Sequence, residues 1–302
     1  MTKSSEPPSW SSAYPVAAPI AATLGAMICI PFGATIAKSL LPLVGAAGAT
    51  ALRMSFASLM LAIYWRPWRM RFKVEALRSI VVYGVAMGCM NLCFYAALRT
   101  IPLGITVAVE FTGPLAVALF ASSRGIDYLW IALAVLGLAA LLPLGDPHGA
   151  MAVDPIGLAY ALGAGFCWAI YIVFGKRAGA QVGGQSTALG VLVGTLVILP
   201  FGIADAGSRL LSPSLLPAAI GVALLSSALP YSLEMFALPR MPTRTFGVLM
   251  SLQPAMAALV GFGFLGERLT VWQWAAILSI MLATGGSAAT SPPSAPFRPQ
   301  ID

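Results

Sequence analysis

Apolar residues in this chain run in blocks broken by charge, proline or glycine, near 16–37, 44–65, 79–98, 103–121, 127–144, 155–175, 184–204, 215–238, 243–265 and 271–290. Each block is close to the roughly 20 residues that one helical crossing of the hydrocarbon layer needs. Lipid offers no partner to an unpaired backbone N–H or C=O, so each block predicts a membrane-spanning helix. The connections are short except at 66–78, 145–154 and 205–214, so little protein is expected outside the membrane. Residues 1–15 form a polar tail without the basic, apolar and small-residue regions of a cleavable signal, so the first block is expected to stay as an anchor. The last twelve residues, SPPSAPFRPQID at 291–302, are proline-rich and expected to be disordered.

Composition strengthens this picture. Of 302 residues, 59% are hydrophobic and 9% charged, and mean hydropathy is +0.89, which excludes an ordinary soluble domain. The net charge of +7 would suggest a nucleic-acid partner if it formed a patch, but the basic residues sit in turns between apolar blocks and read as topology signals. With the N-terminus inside, Lys3, Arg66, Arg69, Arg71, Lys73, Arg78, Arg124, Lys176, Arg177, Arg240, Arg244 and Arg298 fall on the cytoplasmic side. Lys38, Arg99, Arg209, Arg268, Asp146, Asp154, Asp205 and Glu267 fall on the other. Both termini are therefore expected in the cytoplasm. The four cysteines, Cys29, Cys89, Cys93 and Cys167, all lie inside apolar blocks, and no disulfide is expected.

The chain repeats itself. A shift of 138 carries Ala21, Leu24, Gly25, Ala26, Cys29 and Lys38 onto Ala159, Leu162, Gly163, Ala164, Cys167 and Lys176; a shift of 140 carries Ala97, Leu98, Pro102 and Pro114 onto Ala237, Leu238, Pro242 and Pro254. An odd number of spans per unit forces the two copies to enter the membrane with opposite polarity. The expected architecture is an all-α membrane protein: ten transmembrane helices as two inverted five-helix repeats around a central cavity. The repeats take residues 16–144 and 155–290, joined by a periplasmic connection at 145–154.

Ionisable groups inside a span are costly to insert, so each is a functional candidate. Glu110, in VAVEFTGPL, precedes Pro114 by four residues, and the proline frees a backbone carbonyl at that depth. This carboxylate could bind a substrate ammonium or carry a proton; protonation and a bond to a neighbouring helix is the structural alternative. Glu234, in LPYSLEM, lies nearer the cytoplasmic end and could act similarly, or pair with Arg240 or Arg244. Asn91 and Tyr95 are one helical turn apart and offer an amide and a phenol to a cavity, or to an interhelical bond. The 140 shift places Tyr231 where the first copy has Asn91. Arg53 is a charge partner, for a glutamate or a substrate carboxylate. Trp168 and Tyr171, with Phe32, supply aromatic walls where the first helices of the two halves are expected to approach, and small residues in GAMICIPFGA and LGAGFCWA permit close contact. The substrate-binding set is thus Asn91, Tyr95, Glu110, Trp168, Tyr171, Tyr231 and Glu234, with Glu110 and Glu234 the proton-coupling candidates.

Absent motifs narrow the chemistry. The sequence has no P-loop, no HExxH and no GxSxG, and its single histidine, His148, falls in an outer connection. Neither enzymatic activity nor a cofactor or metal is expected.

Four long segments carry a resemblance: AKSLLPLVGAAGATALR at 37–53, NLCFYAALRTIPLGITVAVEFTGPLAVALF at 91–120, LGAGFCWAIYIVFGKRAGA at 162–180 and ALPYSLEMFALPRMPTRTFGVLMSLQPA at 228–255. Over about residues 16–290 the chain resembles the drug/metabolite transporter superfamily in its EamA-type form, and these segments are similar to its threonine and homoserine exporters of the Rht type. The resemblance implies export of small amino acids from the bacterial cytoplasm across the inner membrane by alternating access, coupled to proton entry. Its partners would be an amino-acid substrate, protons and the bilayer, with no nucleic acid, in a monomer or dimer. Export of aromatic amino acids or other small metabolites is the rival transport reading. A sensor or scaffold without flux is the rival of another class.

Overall fold

The computed structural model describes residues 17–67, 74–120, 125–141, 153–182, 185–237 and 243–290, apart from the side chains at 74, 75, 180, 231, 232, 235, 243 and 244. The expected tails, His148, and the positions Arg69, Arg71, Lys73, Arg124, Asp146 and Arg240 used for the expected orientation lie outside the described residues. Among the described residues every regular element is helical. Six helical stretches are long and apolar enough to cross a membrane, and residues 127–141 and 213–228 form shorter apolar helices.

The first two apolar blocks form one stretch, α1 (Ala17–Trp65), 49 residues long, which turns at Gly45 with φ 68° and ψ 178°. The expected connection between the blocks is therefore itself helical up to that glycine. Gly45 suits the turn on two counts, a positive φ and the carboxylate of Asp205 packed where a β-carbon would stand. Then follow α2 (Val74–Ala97), α3 (Leu103–Glu110), α4 (Thr112–Phe120), α5 (Asp127–Leu141), α6 (Pro155–Val182) and α7 (Gln185–Ala206). After two short 3-10 turns come α8 (Leu216–Ala223), a π-helical turn (Leu224–Ala228), α9 (Leu229–Ala237), α10 (Thr243–Met250), α11 (Gln253–Leu265) and α12 (Val271–Thr290). The fourth, eighth and ninth apolar blocks are thus each interrupted partway.

Asp154 opens α6 by accepting the amides of Gly157 at 3.0 Å and Ile156 at 3.3 Å, with Pro155 at the first helical position. The Thr100 hydroxyl, together with these amides, holds its carboxyl below the usual aspartate range.

Helices approach closely where small residues face each other. Gly113 of α4 meets the Gly165 backbone of α6, Gly104 of α3 meets Ala258 of α11, and Gly202 of α7 meets Ala51 of α1. The second arm of α1 packs on α7, where the Thr195 hydroxyl donates to the Met54 carbonyl at 3.0 Å. The first arm packs on the π turn and α9, with Gly33 against Ser226 and Gly25 against Leu233. α2 lies on α6 and α7, α5 on α12, and α3 on α11. Phe32, expected near α6, packs edge-on against Phe264 of α11 at 4.7 Å. The expected approach of the two first helices gives way to α6 packing on α2, α3 and α4.

Outward side chains stay apolar: Leu59, Ile63, Phe166, Leu196, Phe262 and Leu278 are all exposed. Water would penalise an apolar surface this continuous, whereas hydrocarbon does not. The chain is a multi-pass membrane protein.

The α4–α6 contact sets the position of residue 110 and leaves no room for a methyl group at Gly113. Gly113→Ala is expected to destabilise by about 1–3 kcal/mol through overpacking. Gly263→Ala, where a β-carbon meets nothing within 4 Å, is expected to be neutral or mildly stabilising. Thermal melts of the two variants in detergent check the difference.

Candidate functional site

The site begins with a helix break. Pro114 has no amide to give the Glu110 carbonyl, so α3 ends at Glu110 and α4 starts at Thr112, with Phe111 between at φ −64° and ψ −14°. At the break the Thr112 hydroxyl donates to the Val109 carbonyl at 2.6 Å. Gly165 of α6 packs beside the Glu110 carbonyl. Glu110 is thereby held in the interior, 8% exposed. Cys93 and Cys167 lie within electrostatic reach of it, and all four cysteines are free.

Arg53, half-buried on the second arm of α1, is the opposite charge. It lies within electrostatic reach of Glu110 without forming an ion pair with it. Its Nη2 donates to the Ser226 carbonyl at 3.1 Å and to the Ser227 hydroxyl at 3.4 Å. Its guanidinium carbon lies 5.8 Å from the centroid of the Tyr95 ring, a distance at which the ring face attracts a cation. Tyr95 itself is 1% exposed, so it forms a floor beneath the guanidinium.

Trp168 stands edge-on to Phe111, with ring centroids 4.9 Å apart. The pair forms one wall of a cavity of about 250 Å³ between α4, α6, α10 and α12, bounded also by Pro114, Ile172, Phe246 and Met250. Its polar lining includes Ser251, Thr284 and Ser287. α4 packs on α6 and α12, and α10 on α12, so these helices border a space that stays partly open.

The other candidates are distributed differently. Tyr171 stacks on Tyr83 of α2 at 4.9 Å, with Glu234 of α9 in electrostatic reach. Asn91 is buried and donates its amide to the Met87 carbonyl of its own helix at 2.8 Å. Tyr231 lies on α9, but its side chain is outside the described residues, as are Arg240 and the Arg244 side chain. Among the described residues no group of three or more His, Cys, Asp or Glu side chains is placed to hold a metal ion.

At the far end the bundle is closed by charge. Gly266, left-handed at φ 66°, ends α11, and the next amide, that of Glu267, turns back to the Gly261 carbonyl at 3.1 Å. The Glu267 carboxylate accepts the Leu103 amide at the start of α3 at 2.8 Å and forms a salt bridge with Lys38 of α1. One carboxylate thus ties α1, α3 and the α11–α12 connection together.

Sequence reasoning passed over Ser226, Ser227 and the Lys38–Glu267 pair. Adjacent serines within ALLSSALPY were a visible signal, since two hydroxyls in one apolar block need partners. Lys38 and Glu267 had been assigned to the same face as topology residues, a placement compatible with contact.

Comparison with known proteins fits this architecture. Residues 155–288 match the EamA-like transporter family. The chain is 53% identical over 276 residues to the Threonine/homoserine exporter RhtA of Escherichia coli strain K12, covering 91% of this chain and 93% of the relative. It is 52% identical, with the same coverage, to the protein of that name in Salmonella typhimurium strain LT2. A solved crystal structure, 16% identical, superposes with a TM-score of 0.55 over 89% of this chain and 95% of the other, a likeness of fold alone. A long apolar helical bundle, an interior pair of opposite charges, an aromatic-walled cavity and identity above one half to a curated relative lead to one assignment: the chain belongs to the EamA-like transporter family.

Proposed function

We propose that this chain exports small amino acids of the threonine and homoserine type across the bacterial inner membrane by alternating access, driven by proton entry. The observation that carries the proposal is the 53% identity across 91% of the chain to the Threonine/homoserine exporter RhtA of Escherichia coli. The geometry agrees with such a substrate, because Arg53 and Glu110 present opposite charges in the interior without neutralising each other. A zwitterion is complementary to that arrangement, its ammonium to Glu110 and its carboxylate to a cation.

The scaffold of this proposal has ten crossings in two inverted halves, 16–144 and 155–290. Its support is that the 140 shift carries the break at Phe111 onto the break at Ser251, and Pro114 onto Pro254. The fourth and ninth apolar blocks, which the shift superposes, meet through α3 and α11, and α5 packs on its own repeat counterpart, α12. The family match over 155–288 alone is also what a duplicated unit leads one to expect.

With both termini in the cytoplasm, the cavity lies at the cytoplasmic end and the Lys38–Glu267 bridge at the periplasmic end. This is an inward-open arrangement. Export then requires the bridge to open while α4, α6, α10 and α12 close. A proton arriving from the periplasm neutralises Glu110 and releases the ammonium there; loss of that proton to the cytoplasm readies the site again. Glu234 is the second coupling candidate.

The aromatic wall of Phe111, Trp168 and Phe246 favours a second reading, in which the substrate is an aromatic amino acid. Counterflow in proteoliposomes across a panel of amino acids, with and without a proton gradient, separates the two. Threonine and homoserine exchanging above phenylalanine and tryptophan is the expected result; the reverse order selects the second reading, and no exchange at all removes both.

Glu110→Gln, verified as folded, is expected to lose the dependence of threonine flux on the proton gradient. Retention of wild-type rate and pH dependence removes Glu110 from the mechanism. Glu267→Lys is expected to reduce flux by setting two cations together at the periplasmic end. Combining it with Lys38→Glu is expected to recover part of the flux, since the ion pair returns but the bond to the Leu103 amide does not. A double variant no better than the single one counts against a latch.

A further inference from the structure

We infer that Arg53 and the two serines of the π turn, Ser226 and Ser227, form the subsite that receives the substrate's carboxylate, across from Glu110. This rests on the amino-acid exporter reading and adds to it the atoms that recognise one end of the substrate.

The first observation is incomplete satisfaction. Arg53 has five N–H donors. One nitrogen reaches two neutral oxygens, the Ser226 carbonyl at 3.1 Å and the Ser227 hydroxyl at 3.4 Å, the latter a long bond. Its Nε is buried without any hydrogen-bond partner, and so is the Ser226 hydroxyl. Buried polar atoms are nearly always paired, so two orphans in adjoining residues call for an explanation. An anion supplies one. A carboxylate accepts from a guanidinium edge through two parallel, charge-assisted bonds, stronger than those Arg53 makes to neutral oxygens.

The second observation is the backbone. Residues 224–228 form a single π-helical turn between α8 and α9, a feature found most often at functional sites. It turns both hydroxyls inward, leaving Ser226 8% and Ser227 4% exposed. Gly33 of α1 makes room for this, since a β-carbon there would collide with the Ser226 hydroxyl. Two elements far apart in sequence, α1 and the π turn, therefore converge donors on one point, while the neighbouring carboxylate, Glu110, is near enough to sense Arg53 and does not occupy it.

Nε and the Ser226 hydroxyl lie out of contact with solvent. The carboxylate therefore reaches them as the π turn shifts, which links occupancy of the subsite to movement of α8 and α9 against α1. The carboxylate is recognised by the element that has to move.

The experiment is competition in counterflow. Full-length protein in liposomes loaded with threonine takes up labelled threonine against unlabelled threonine, threonine carboxamide or the corresponding amino alcohol. Wild type is expected to be inhibited by threonine and not by the two analogues without a carboxylate. Arg53→Gln and Ser227→Ala are expected to raise KM about tenfold to a hundredfold, the effect of losing a hydrogen bond to a charged group. Their preference for threonine over the carboxamide shrinks by the same factor, and Arg53→Lys recovers part of it. Variants that melt normally and keep the wild-type KM and preference overturn the proposal. So do variants that lose only maximal rate and thermal stability, since that is what a packing role yields.

Failure of wild-type threonine exchange would instead sink the exporter reading. The subsite is then judged by thermal stabilisation of wild type and Ser227→Ala with a panel of amino acids and their carboxamides. Carboxylate-dependent stabilisation that the alanine variant loses sustains it; any other pattern overturns it.

Discussion

Hydrocarbon gives the backbone nothing to bond with, and the whole structure follows from that constraint. Every described crossing is helical because a helix satisfies its own amides and carbonyls. The interruptions are then informative, because each needs protein around it to complete the lost bonds. Gly45 turns beside Asp205, Phe111 breaks beside Gly165, the π turn lies against Gly33, and Ser251–Leu252 borders the cavity. None of these breaks requires a strand or a long loop. The last three place bent backbone within apolar blocks, beside the candidate site.

The same solvent constrains charge. A cation or carboxylate in the interior needs a partner or a purpose, and the two interior systems resolve this differently. Lys38 and Glu267 neutralise each other, and the carboxylate also takes the first amide of α3, so the bridge belongs to closure of one end. Arg53 and Glu110 remain apart, and Arg53 is only partly satisfied by neutral groups. In the proposed mechanism the first pair holds a conformation, and the second leaves complementary charge for a ligand.

The proposed duplication accounts for the scaffold better than for the chemistry. The 140 shift relates the breaks at Phe111 and Ser251, yet it carries Glu110 onto Met250, and it carries Phe94 onto Glu234. The two halves share small residues and prolines, which govern how helices approach and bend. They do not share the carboxylates, which govern what binds. A site built at the junction of two copies needs only one set of charged groups.

The sequence by itself determined the number and length of the apolar blocks, the prolines that interrupt them, and the short set of costly polar residues from which the candidate site is drawn. Those properties are local: transfer to lipid depends on a run of side chains, and a missing amide disrupts its own turn. Glu110 beside a proline-loosened backbone was legible for that reason. Tertiary structure alone decided that Asn91 bonds back to Met87, that Tyr171 stacks on Tyr83, and that Phe32 meets Phe264. It also decided the two pairings that matter most here, Lys38 with Glu267 across 229 residues and Arg53 with Ser226 across 173. Such contacts depend on how each helix is rotated and how closely its small residues let it approach, and hydropathy along one chain carries no record of either.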